Sequence, residues 1–141
     1  MEPNFAAVAV AAIVPMIIGF AYYHPAVLGG AWMKANGFTM EGMTPPKPIL
    51  YLVALVLSFL LSMFVCINVT GPGQQTAPDG HSYATFGHGA VHGVLLTLFV
   101  ILPVLGTMSI FEKRGWSWVF VNLGYWLVTL IVMGCILSAW R

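Results

Sequence analysis

Charge is the scarcest feature of this sequence. Its 141 residues hold five lysines and arginines and four acids, 6% of the chain, against roughly 25% in soluble domains. None of these charges falls inside the four long apolar runs. A chain without intramembrane carboxylates or bases lacks the usual proton-relay and ion-coupling groups of a pump, which argues against active transport. The absence of any basic tract, with a net charge of +1, argues against nucleic acid as a partner. Cysteine is nearly as scarce. The two thiols, Cys66 and Cys135, provide no disulfide framework, and no serine, threonine or cysteine stands beside a histidine in a nucleophilic arrangement. These absences together make the chain a non-enzyme by expectation.

What is present is hydrocarbon. Hydrophobic residues make up 60% of the chain and the mean hydropathy is +0.91. Four runs reach the roughly 20 residues that cross a bilayer core as a helix: residues 5–23, 49–69, 88–110 and 116–140. MEPN before the first run carries an acid and no lysine or arginine, unlike a signal peptide, so that run is read as a span. The longest connection, residues 24–48, is too short for a core of its own. The fold class expected is therefore all-α, a single integral-membrane four-helix bundle over residues 1–141. A short interfacial helix is expected between spans one and two, where Val27, Leu28, Trp32 and Met33 could lie at headgroup level with Lys34 turned to water.

Lysines and arginines concentrate on the cytoplasmic side of membrane proteins. Lys34, Lys47, Lys113 and Arg114 share one side and Arg141 lies on the other, so the cytoplasmic (inner) membrane with both termini outside is the expected placement.

Lipid is as apolar as leucine, so spans associate through small residues that let backbones approach. Such stripes occur as Ala7, Ala11, Pro15 and Gly19 in span one, Ala54, Ser58, Ser62 and Cys66 in span two, and Gly89, Gly93 and Thr97 in span three. Span four carries Asn122, Trp126, Thr129 and Met133 at helical spacing, and a further stripe, Gly124 to Gly134, that would suit a second copy of the chain. Pro15 and Pro103 lie near mid-span and free the carbonyls of Ala11 and Phe99, which a ligand or a neighbouring side chain could take up.

The stretch GHGAVHG, residues 87–93, supports two readings at once. Gly89 and Gly93 are spaced for a helix seam, and His88 and His92 for a pair of ligands on one face. A metal site would recruit His81, Cys66 or Cys135, since a structural zinc takes four such groups and a catalytic one three plus water; haem would need one axial histidine. The HxxxH spacing lacks the glutamate of the HExxH metalloprotease motif. Asn122 is either interhelical glue or a ligand contact.

The stretch YYHPAVLGGAWMKANGFTMEGM, with an aromatic pair, a small polar residue and proline leading into glycine, tryptophan, methionine and lysine, and the final span VNLGYWLVTLIVMGCILSAW resemble a family of small four-span bacterial membrane proteins, domain of unknown function 1761. The resemblance implies a four-span fold and no activity. The function expected is that of a structural or accessory protein in the lipid bilayer, packing with itself as a homodimer or with other membrane subunits. The alternative is a binding protein for a transition metal, haem or small apolar ligand, using His88 and His92.

Overall fold

The computed structural model describes residues 3–141. Its elements are α1 (Phe5–Tyr22), α2 (Gly30–Asn36), α3 (Pro48–Thr70), α4 (Phe86–Leu96), α5 (Leu102–Phe111) and α6 (Trp116–Ala139). A π-helical turn, Pro25–Gly29, leads into α2, and a second, Thr97–Ile101, joins α4 to α5. Four helices are long and apolar enough to cross a membrane: α1, α3, the continuous rod Phe86–Phe111, and α6.

The boundaries follow local chemistry. Asn4 caps α1 by accepting from the N–H groups of Ala6 at 3.1 Å and Ala7 at 3.2 Å. Thr85 accepts from the His88 N–H at 3.2 Å, which starts α4 at Phe86 and brings the whole of GHGAVHG inside the helix. His24 ends α1; its Nδ1 accepts from the Ala26 N–H at 3.2 Å, and Pro25 opens the next turn. Gly37, at φ +70°, closes α2 in the left-handed conformation that glycine adopts without penalty.

Helix α6 is the axis of the bundle. It packs against α1, α3, α4 and α5, and α2 lies across its first turns. The core joins Ala7, Val8, Ala11 and Val14 of α1 to Val65, Cys66 and Val69 of α3 and Leu130, Met133 and Leu137 of α6. The buried Ser62 hydroxyl donates to the Val8 carbonyl at 2.8 Å, tying α3 to α1 where water is absent. Ala7, Ala11, Ser58, Ser62, Gly89, Gly93 and Thr97 are all buried. Gly19 is half-buried and meets the Tyr125 ring rather than a backbone, and Ala54 is exposed.

Pro103 is accommodated within its own helix. The turn Thr97–Ile101 widens so that the Leu102 N–H reaches back five residues to the Thr97 carbonyl, the usual signature of an inserted π-bulge. The side chain of Pro103 itself is exposed. Pro15 differs: it is buried, and its carbonyl accepts from the Tyr125 hydroxyl at 2.9 Å.

The bundle is tight at one end and open at the other. In α3 every buried residue, Ser58, Ser62, Val65, Cys66 and Val69, lies from the middle of the helix onward. Leu50, Leu52, Val53, Val56 and Leu57 in its first half are exposed. The first half of α3 thus stands away from α6, and a cleft opens between α1, α3 and α6.

Candidate functional site

The glycines of GHGAVHG form a seam. A Cβ on Gly89 would overlap the Gly134 carbonyl, a Cβ on Gly134 would overlap the Gly89 carbonyl, and one on Gly93 would lie 2.6 Å from the Ile131 Cα. Backbone therefore touches backbone along α4 and α6, the closest approach two helices can make. The neighbouring Gly87 is exposed and meets nothing within 4 Å.

The histidines occupy the adjoining face. The His88 and His92 ring centroids are 4.5 Å apart, and Tyr83 stacks on His88 at 4.6 Å. Beside them Arg141 fans its guanidinium over backbone carbonyls: Gln74 at 2.6 Å, and Val69, Tyr83 and Ser138 at 2.9 Å each. A cation against the last carbonyls of α3 also suits the dipole of that helix. The Ser138 hydroxyl adds a bond to the Tyr83 carbonyl at 3.0 Å, so the α3–α4 loop is held against the end of α6.

The proposed metal set does not assemble. Among the described residues no three histidines, cysteines or acids gather in a group able to hold a metal ion. His81 stays in the loop, exposed, with Nδ1 3.0 Å from the Asp79 carboxylate. Hydrogen bonds from the His81 backbone and ring hold Asp79 below the usual carboxylate range. Cys135 donates to the Phe86 carbonyl at 3.3 Å, Cys66 lies 3.7 Å from the Thr70 hydroxyl, and both are free thiols. The turn at Asp79 holds both the N–H and the ring of His81 in the loop.

At the opposite end the two long sequence signatures interlock. The Tyr23 hydroxyl donates to Asn122 Oδ1 at 2.9 Å, and Asn122 Nδ2 donates to the Trp118 carbonyl at 2.8 Å. Asn122 is thus interhelical glue. The Trp118 indole N–H and an Arg114 guanidinium N–H both reach Asn36 Oδ1, at 3.2 and 3.0 Å, which docks α2 on α6. Trp32 is half-buried against the Tyr23 and Phe38 rings rather than spread at a headgroup surface, although Val27, Leu28 and Lys34 remain exposed. Gly124 admits the Tyr22 hydroxyl, which a Cβ would overlap and which donates to the Val121 carbonyl at 2.9 Å. Gly124 and Gly134 are therefore both occupied within the chain, and that stripe is not free for a second copy.

The Gly124 contact makes a direct prediction. Gly124→Ala is expected to destabilise the protein by about 1 to 3 kcal/mol through overpacking. Combined with Tyr22→Phe, which removes the overlapped hydroxyl, the loss should be smaller than the sum of the two single losses. Denaturation of the four proteins of this double-mutant cycle in mild detergent checks it.

The cleft lies next to this lattice. Its part nearest the lattice encloses about 380 Å³ between Gly19, Phe20 and Tyr23 of α1, Tyr51 of α3 and Tyr125 of α6. An adjoining chamber of about 370 Å³ runs deeper, past Leu57, Leu61 and Trp126. Pro15, Ala54, Ser58 and Tyr125 border both. Phe20 and Tyr51 stack at 6.1 Å across its rim, and the tilted rings of Tyr23 and Tyr125 lie 5.1 Å apart along its wall. Sequence reasoning missed this site. The available signals were the aromatic pair Tyr22 and Tyr23 and the tyrosine beside Gly124, all of them inside the family-like stretches.

An all-α integral membrane protein of four spans, with a closed glycine seam at one end and a lipid-facing aromatic cleft at the other, is the class this architecture defines. The chain belongs to the family described as Protein of unknown function (DUF1761), which matches residues 6–138. No curated protein and no solved structure matches it.

Proposed function

We propose that this protein is a non-enzymatic accessory protein of the cytoplasmic membrane that acts by binding, and that its site is the α1/α3/α6 cleft, which takes one narrow apolar molecule from the lipid phase. The supporting observation is the cleft itself. Its volume, about 380 Å³ in the first chamber, falls in the range of small-molecule sites, and its lining is apolar and aromatic with few polar groups, as such sites are. The seam residues of the accessory reading are satisfied within the chain, so binding rests on the cleft rather than on the glycines.

A long-chain fatty acid carrying a diazirine tests this reading. In nanodiscs it should label peptides of α1 and α3 bordering the cleft, in competition with unlabelled chain. Ala54→Trp, at an exposed position facing both chambers, should abolish that labelling, whereas Val53→Trp on the lipid side should not. Uniform labelling of all four spans, insensitive to Ala54→Trp, would overturn it.

The placement carries its own test. Both termini are proposed to lie outside, with Lys34, Lys47, Lys113 and Arg114 toward the cytoplasm. In intact cells a membrane-impermeant maleimide should then modify Ser82→Cys and leave Lys113→Cys untouched.

A further inference from the structure

The two serines of α3 are treated differently by the fold. Ser62 is fully buried and its hydroxyl donates to the Val8 carbonyl. Ser58, one turn earlier, is 9% exposed and borders both chambers of the cleft. Its hydroxyl forms no hydrogen bond among the described residues, not even the bond to the carbonyl one turn back that Thr70 and Thr97 make at 2.8 Å. A hydroxyl left unpaired against hydrocarbon is costly, and it is relieved when a ligand offers an acceptor.

Depth decides what that ligand is. Ser58 lies about 15 Å along α3 from Pro48 by the helical rise, about half the hydrocarbon thickness. Phospholipid ester and phosphate oxygens stay at the interface and do not reach it. Lipid-phase molecules that carry a carbonyl within the hydrocarbon region do, and isoprenoid quinones are the class that joins such a carbonyl to a flat ring and a long apolar tail. The cleft has matching features in Tyr125, which borders both chambers as Ser58 does, for a ring and an opening to lipid for a tail.

Resting on the binding role proposed above, we infer that the cleft ligand is a quinone-type lipid whose ring carbonyl accepts from the Ser58 hydroxyl. The inference concerns binding alone and includes no redox step.

Decylubiquinone titrated into the protein in nanodiscs tests this, read by quenching of tryptophan fluorescence, since Trp126 borders the deeper chamber. Saturable quenching at one equivalent is expected. Ser58→Ala should weaken it about tenfold while the diazirine fatty acid still labels the cleft, which shows that the variant is folded. Quenching unchanged in Ser58→Ala overturns the role of Ser58. Absence of saturable quenching with fatty-acid labelling intact overturns the quinone and leaves the apolar site standing. Loss of both signals in the unmodified protein removes the site as well.

Discussion

Gly89→Ala is expected to be the most damaging single methyl group that can be added to this protein, lowering its stability by at least about 3 kcal/mol, the upper end of what overpacking costs. The added Cβ would overlap the Gly134 carbonyl, and neither backbone can withdraw without parting α4 from α6. Gly93→Ala, whose Cβ would lie 2.6 Å from the Ile131 Cα, should follow it closely. Gly87→Ala, two residues away and open, should be neutral or stabilising by up to about 1 kcal/mol, because alanine is the better helix former. Unfolding of the three variants in mixed micelles, followed by circular dichroism, separates the expected ranking from a uniform response. His88→Phe keeps ring packing against Tyr83 and His92→Phe keeps it against His88, and each is expected to cost less than about 1.5 kcal/mol.

Arg141→Met is the second large expected effect. Methionine keeps the apolar stem but removes every donor that Arg141 directs at the carbonyls of Val69, Gln74, Tyr83 and Ser138. Hydrogen bonds from a charged group are worth about 1.5 to 3 kcal/mol each, with much overlap among neighbours, so a total loss near 3 kcal/mol is expected. Amide exchange should accelerate first in residues 71–85, the loop pinned by those bonds. Arg141→Lys should recover little, since a single ammonium cannot fan over four carbonyls. Exchange in that loop unchanged in Arg141→Met would show that the loop is held by other means.

The spans were legible because charge is missing from them, and the structure moves their ends by one or two residues only. The seam was legible for a related reason: in lipid only small residues admit close backbones, so Gly89 and Gly93 declared themselves. The histidines between them could not be resolved from spacing, because a helix places His88 and His92 together without saying what stands opposite. Tyr83 and Arg141 stand there, brought by loop and terminal geometry that no periodicity encodes. The cleft was hidden more deeply. A leucine facing lipid and one facing a cleft open to lipid are chosen by the same solvent, so the splay of α3 leaves no mark in its hydropathy. The aromatic lattice depends on contacts such as Tyr23 to Asn122, 99 residues apart, which a linear reading cannot pair.

The backbone-to-backbone contact of α4 and α6 sets which faces remain for lipid and ligand. Nuclear Overhauser spectra of the protein in nanodiscs with protonated acyl chains measure this directly. A strong cross-peak between the Gly89 and Gly134 α-protons, with none from either to lipid, is the predicted result. Cross-peaks from the Gly89 α-protons to acyl-chain methylenes, and none to Gly134, would contradict it.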